Sequence, residues 1–283
     1  MLQSVTISAS LQFANFLSPL LRDTYAAITT YAGQQLQMAT ELVPGHDLSD
    51  FGSGRVDVGF LCGLLYVHLR ATQEDPVELL AAPVLRGTRY QGRPQYFSDV
   101  VVRRDSRWRA FADLGGSTWA YNEEASHSGY NLVQYSLLER QGHTDYFGRT
   151  VKSGSHAQSL QLVLSGQADA AAIDSHVLEV MFQQDPQLAA QLHSIDMLGP
   201  SAIPPIVVAR KLPRQLKQAL RDILAHMHED PVQAELLHAG KIERLVTVQD
   251  EDYTNIRAMW NRVQTARQQS RGFPDAKQVL YTL

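Results

Sequence analysis

The chain has a single cysteine, Cys62, among its 283 residues. That excludes an internal disulfide framework and any metal site built on several thiolates, leaves the redox compartment open, and predicts a buried free thiol. Long apolar runs are missing too: no stretch approaches the 18 or so apolar residues of a membrane-spanning helix. Charge is sparse, at 19% of residues, and slightly negative, with a net −4, so the chain lacks the basic face that nucleic acid or an anionic membrane requires. Solenoid periods and low-complexity tracts are absent. Met1 to Ser8 has neither the basic nor the apolar segment of a secretory leader. Periplasmic or extracellular placement therefore implies a leader already removed, and cytoplasmic placement a chain complete as it stands. What is present is ample core: at 44% hydrophobic, the length fits one large domain or, more comfortably, two ordinary ones.

Strand and helix signals alternate along the chain. Val5–Ser8 reads as a first strand, Phe16 to Thr30 as a helix, Leu36 to Val43 as a second strand, Asp47 to Phe51 as a short helix capped by Asp47, and Val56 to Leu61 as a third strand. The second half repeats the order, with strands at Ser117–Asn122, around Tyr146–Val151 and at Ala168–Ile173, and helices at Gly129–Gln141 and Ala157–Ser165. Near-continuous apolar strands suit parallel sheets covered on both faces. Gly54-Arg55-Val56-Asp57-Val58-Gly59-Phe60 is echoed by Gly166-Gln167-Ala168-Asp169-Ala170-Ala171-Ala172, at the same place in each half, which favours two similar α/β lobes. Ile195 to Pro200 reads as a connection, and Ile203 to Ala209 as a strand returning to the first lobe. From Pro213 onward the chain reads as largely helical, and the tail Gly272–Leu283 is ambiguous.

Three polar turns carry the chemistry. Trp119 to Asn122 reads as a strand running into Ser126-His127-Ser128-Gly129-Tyr130-Asn131 and then a helix. The first backbone N–H groups of a helix lack internal partners and carry partial positive charge, so such a turn can hold an anion. Ser126 and Ser128 add hydroxyls, His127 an N–H, and Gly129 a backbone free of Cβ. Ser153-Gly154-Ser155-His156 repeats the logic, and Asp174 ends an alanine-rich strand before Ser175-His176. Taken singly, each turn is equally an ordinary Ser or Asp helix cap. In the first lobe the matching turn is Leu61-Cys62-Gly63-Leu64-Leu65-Tyr66, with Tyr96 as a candidate wall and Tyr121 beside the serine turn. Arg89, Arg93, Arg103 and Arg104 cluster around the crossing between lobes, where they could neutralise an anion or simply be solvated.

Together, Val56–Leu61 followed by Tyr66, Tyr96 to Arg103, Phe111 to Gly116, the Ser126-His127-Ser128-Gly129-Tyr130 turn, and Gly154-Ser155-His156 through Asp174 resemble the phosphate, phosphite and phosphonate substrate-binding proteins of ABC transporters. The resemblance runs from about Val56 to about Ala209. It implies the bilobal type 2 periplasmic-binding-protein fold, each lobe a mainly parallel sheet flanked by helices around an interlobe cleft, divided here as 1–98 plus 202–283 and 99–201. It implies that Ser126, His127, Ser128, His156 and Asp174 contact a tetrahedral oxyanion and that Tyr96 closes over it. Gly129, Tyr130, Tyr121, Cys62 and Gly63 complete the candidate binding set. The chain departs from the family pattern at His127, where Thr is common, and at Cys62-Gly63-Leu64, where Gly-Pro is common. His127 is therefore expected to alter which ligand is taken.

The function this implies is hinge closure on a small oxyanion, phosphonate or phosphate-like, by a monomer that serves an ABC permease and uses no cofactor. A cytoplasmic ligand-sensing domain of the same fold is the alternative. Catalysis is the weaker rival. Ser126 or Ser128 with His156 and Asp174 contains the residue types of a nucleophilic triad, and His127, His156, Asp174 and His176 those of a metal site. There is, however, no Gly-x-Ser-x-Gly elbow and no His-Glu-x-x-His helix. Neither an enzyme nor a metal protein is expected.

Overall fold

A computed structural model of the chain describes residues 10–72, 75–142 and 144–271. The described strands are β1 (Ser10–Asn15), β2 (Ala39–Pro44), β3 (Val58–Phe60), β4 (Val77–Leu85), β5 (Gln95–Arg103), β6 (Thr118–Tyr121), β7 (Arg149–Lys152), β8 (Ala170–Asp174), β9 (Leu192–Ala202), β10 (Ile206–Ala209) and β11 (Ile242–Val246). The described helices are α1 (Arg22–Leu36), α2 (Asp50–Ser53), α3 (Gly63–Arg70), α4 (Leu132–Gln141), α5 (His156–Leu164), α6 (Ser175–Gln184), α7 (Pro186–Gln191), α8 (Arg214–His226), α9 (Pro231–Ala239) and α10 (Thr254–Arg271).

The strands form two sheets, ordered β11-β4-β10-β3-β1-β2 and β7-β6-β8-β5-β9. The chain crosses from the first sheet to the second after β4 and returns after β9 through Ile203-Pro204-Pro205. The two crossings touch where the Ile203 N–H donates to the Pro94 carbonyl at 3.2 Å. Central strands are apolar on both faces because helices cover both: β3, β8 and β10 are buried at every position. Alanine dominates β8, Ala170-Ala171-Ala172, between Trp119 and Leu132 in one apolar cluster and Leu160 and Val177 in the other.

Both sheets are mixed, which corrects the expectation of mainly parallel ones. β1 pairs parallel with β2 and β3, and β6 with β7 and β8; β10, β11 and β5 pair antiparallel with their neighbours. The antiparallel strands are those next to the crossings, where the chain re-enters a sheet from its far end, together with the terminal strand β11. Ile195 to Pro200, read as a connection, lies inside β9. That strand is an edge with much of its length exposed, where Gly199-Pro200 is tolerated because only one side of the ladder needs donors. β11 interrupts a stretch read as helical, and it too is a short edge strand whose Glu243 and Arg244 hide the alternation. Val5–Ser8 and the Gly272–Leu283 tail lie outside the described residues. The first described strand is Ser10–Asn15, and the helix expected from Phe16 begins at Arg22, after Ser18-Pro19 opens a single 3-10 turn. The short helix expected at Asp47 starts at Asp50; Asp47 instead accepts the Ser49 N–H at 2.8 Å.

Candidate functional site

The parallel strands β1, β3, β6, β7 and β8 end at one cavity of ≈ 160 Å³ between the two sheets, as open α/β sheets place their ligands. The residues just beyond each strand line it: Ser18 after β1, Cys62 after β3, Ser126 and Ser128 after β6, Ser155 and His156 after β7, and Asp174 at the end of β8. Four helical starts therefore face one space, at Cys62, Ser126, Ser155 and Asp174.

The serine turn is a single π turn, His127–Asn131, closed by an Asn131 N–H bond to the Ser126 carbonyl at 3.1 Å and followed by α4. Ser126 Oγ accepts the Gly129 N–H at 3.1 Å, which leaves its own O–H to donate. Ser128 Oγ lies 3.1 Å from His156 Nε2, and the Ser128 carbonyl accepts from Ser98 Oγ at 2.8 Å. His156 is buried, which pushes its imidazole down to about 4, so it is neutral at physiological pH. Its Nδ1 is buried with no protein partner, as is Oδ1 of the neighbouring Asn122, which also lines the cavity. An unpaired buried polar atom is costly, so each is a group that a bound molecule could satisfy.

Asp174 spends one oxygen on the helix it starts, with Oδ1 accepting the N–H groups of His176 at 2.8 Å and Val177 at 3.4 Å. Burial pushes the carboxyl up to about 7, against the pull of those two bonds. Glu123, also on the cavity wall, is raised by burial. Tyr96 is wholly buried, its phenol raised well above the usual value by burial. Among the described lining residues there is no Arg or Lys. An oxyanion here would be met by neutral hydroxyls, imidazole N–H and backbone N–H groups.

Of the residues expected from sequence, Cys62, Tyr96, Ser126, Ser128, His156 and Asp174 line the cavity. His127 does not, which corrects its expected role. Asn131 Nδ2 donates to its Nδ1 at 3.1 Å, so Nε2 carries the hydrogen and donates to Ser201 Oγ on β9 at 2.7 Å. Both ring nitrogens are thus spent inside the protein. Its backbone N–H instead reaches the Cys62 sulfur across the cleft, one of three such bonds that offset the rise burial imposes on the thiol. Tyr130 turns to α10, under the Arg267 guanidinium that bonds its hydroxyl, with Tyr121 4.9 Å away ring to ring. Gly63 is small because Ile256 Cδ1 lies 2.6 Å from where a Cβ would sit.

The arginines are also elsewhere. Arg89 makes two bonds to Asp99 at 2.5 and 3.1 Å, Arg103 pairs with Asp105, Arg104 holds the carbonyls of Ala189, Ala190 and Leu192, and none of these nor Arg93 lines the cavity. Among the described residues no three His, Cys, Asp or Glu side chains come together as a metal site. The sequence reading missed the wall contributed after β1, including Phe16, Ser18 and Tyr25. A polar Asn15 followed by Ser18-Pro19 was the available signal.

Gly129 serves packing rather than ligand access. A Cβ there would lie 1.9 Å from Asn122 Oδ1 and 3.3 Å from His156 Cε1, at a φ that other residues adopt freely. Gly129→Ala is expected to lose about 1–3 kcal/mol by overpacking, seen as a fall in thermal midpoint of roughly 2–4 °C per kcal/mol. Asn122→Ala combined with it should recover much of the loss. A midpoint equal to that of the parent would refute the steric account.

Two α/β halves, joined by paired crossings and enclosing a cavity at their strand ends, define a bilobal solute-binding protein of the type 2 periplasmic-binding-protein fold. The chain belongs to the family described as ABC transporter, phosphonate, periplasmic substrate-binding protein, whose profile matches residues 14–253. That family is one of transport proteins, not an enzyme class. Among solved structures, a binding protein component of an ABC phosphonate transporter from Pseudomonas aeruginosa aligns with a TM-score of 0.78 at 20% identity, covering 94% of this chain and 90% of that one. PhnD1 from Prochlorococcus marinus, in complex with methylphosphonate, gives 0.79 at 17% identity, covering 90% and 98%. A Xanthomonas citri protein bound to ATP gives 0.69 at 18% identity, covering 92% and 98%.

Proposed function

We propose that the cavity binds a small phosphonate, with Ser126, the Nδ1–H of His156 and the backbone at the start of α5 donating to its oxygens, Ser128 fixing that tautomer by donating to Nε2, and Tyr96 and Asp174 closing the wall. The observation that carries this reading is the buried, unpartnered Nδ1 of His156 on the wall of a cleft without cationic side chains among the described residues. A donor already stripped of water makes its full hydrogen bond to an anion, and charge-assisted bonds of this kind are the strong ones. A cavity of ≈ 160 Å³ suits a phosphonate with a short substituent. The protein would act as a monomer that hands its ligand to a membrane permease and makes no covalent change.

The Ser128–His156 contact has the form of a nucleophile–base pair, yet the third link of a triad is missing. His156 Nδ1 bonds no carboxylate, and Asp174 Oδ1 is committed to α6. Calorimetric titration tests the proposal with methylphosphonate, 2-aminoethylphosphonate, phosphate, sulfate and ATP. Saturable binding of a phosphonate in preference to sulfate and ATP is expected, and an ammonium substituent would meet Glu123 and Asp174. Binding of none of the phosphonates, or hydrolysis of an ester lost on changing His156, would overturn it.

A further inference from the structure

Helix α6 leaves the cavity with Asp174 as its cap and His176 in its first turn, and one face of it continues through Glu179 and Gln183. Positions i, i+3 and i+7 share a face. Every residue of this stripe bonds outside the five-stranded half. His176 Nε2 donates to the Gly240 carbonyl at 2.6 Å, and Gln183 Nε2 to the Ala239 carbonyl at 3.0 Å. Both acceptors lie at the C-terminal end of α9, where carbonyls have no helical partner, and α9 packs on α1 and β11 of the six-stranded half. Between the two, Glu179 accepts the Tyr90 O–H at 2.6 Å, and Arg89 lies 3.6 Å from the same carboxylate. Tyr90 and Arg89 stand on the first crossing.

We propose that this stripe is the latch of the cleft, with Tyr90, Glu179 and Gln183 as positioning residues that hold α6, and through it Asp174 and His176, over the ligand in the closed form. Opening about the two crossings separates α6 from α9, because donor and acceptor ride on different halves. Hydrogen bonds within each half survive that motion; those from His176 and Gln183 to the end of α9 do not, while the Tyr90–Glu179 bond ties α6 to the crossing on which it turns. Their strength therefore biases the open–closed equilibrium directly, and ligand retention with it. The ligand consequence rests on the proposed function of the cavity; the conformational consequence rests on the protein alone.

The test uses Tyr90→Phe and Gln183→Ala, neither of which lines the cavity, together with Glu179→Gln, which keeps an acceptor, and Glu179→Leu, which does not. One lost hydrogen bond shifts such an equilibrium about five-fold. Stopped-flow release of methylphosphonate should accelerate about five-fold for Tyr90→Phe, Gln183→Ala and Glu179→Leu with the association rate unchanged, while Glu179→Gln behaves as the parent does. Small-angle scattering of the unliganded variants should show a larger radius of gyration for the same three. Unchanged release and unchanged radius would overturn the latch, as would equal behaviour of the two Glu179 variants. If the parent fails to bind methylphosphonate, the ligand reading falls, and scattering alone decides the latch.

Discussion

His156→Ala is expected to weaken phosphonate binding by about 10- to 100-fold, the effect of losing one hydrogen bond to a charged group. The substitution removes Nδ1, the buried donor without a protein partner, and at the same time releases Ser128 Oγ from its 3.1 Å contact with Nε2. The freed hydroxyl recovers little, because the position occupied by Nδ1 stays empty of a donor. His156→Asn tests the place of the donor. Its amide nitrogen falls near the place of Nδ1 and should restore part of the affinity, although burial already keeps the native ring neutral. Titration calorimetry against methylphosphonate, with thermal unfolding as the control for folding, reads both variants. Equal affinity in parent and His156→Ala would remove the residue from the site and with it the observation on which the functional proposal stands.

How far the sequence disclosed this site depended on how well it disclosed the strands. Asp174 was legible because β8 is apolar at four consecutive positions and the carboxylate ends the run. Ser128 was legible because its hydroxyl-rich turn follows the apolar β6, and His156 because a second hydroxyl-rich turn opens the amphipathic α5, although β7 before it is a polar edge strand. His127 was misjudged for a different reason. Its ring is fixed by Ser201, and Ser201 belongs to β9, an exposed edge strand whose Gly199-Pro200 looks like a turn. With β9 read as a connection, nothing in the sequence offered His127 a partner inside the protein, so the ligand seemed the natural one. The wall formed by Phe16, Ser18 and Tyr25 was lost in the same way. It follows β1, Ser10–Asn15, which the sequence pattern does not mark as a strand; the expected strand Val5–Ser8 lies outside the described residues. The fold class survived these errors because it rests on the alternation of strands and helices, which tolerates shifted boundaries. The latch contacts at Gly240 and Ala239 had no local signal, since backbone carbonyls carry no residue identity.

Acid is expected to unfold the ligand-free protein over a narrow range below pH 6.5. His127, His156 and His176 are all buried, and burial pushes them down to about 3, 4 and 4. In the unfolded chain each titrates near the ordinary histidine value of about 6.5. Between these limits the unfolded state binds three protons that the folded state refuses, so the stability these groups confer is present above pH 6.5 and is lost as pH falls. Asp174 works in the opposite sense. Held at about 7 by burial, it keeps a proton in the folded state that the unfolded chain has shed, and its contribution is lost as pH rises from about 4 through 7. Near pH 5 these three protons, with a fourth refused by the part-buried His68, which burial also pushes down to about 4, stand against the one that Asp174 keeps, and the net of three gives a slope of about 4 kcal/mol per pH unit toward instability on acidification. Against a total of roughly 5–15 kcal/mol for a folded domain, a fall from pH 6.5 to 5 removes a large share. Urea unfolding at pH 7, 6 and 5 checks the slope: the midpoint should drop steeply, and His127→Gln should flatten the decline by about one proton, roughly 1.4 kcal/mol per pH unit. A midpoint that holds constant or rises between pH 7 and pH 5 would mean that these imidazoles reach water in the folded state, contrary to their burial and to the closed His127 pair.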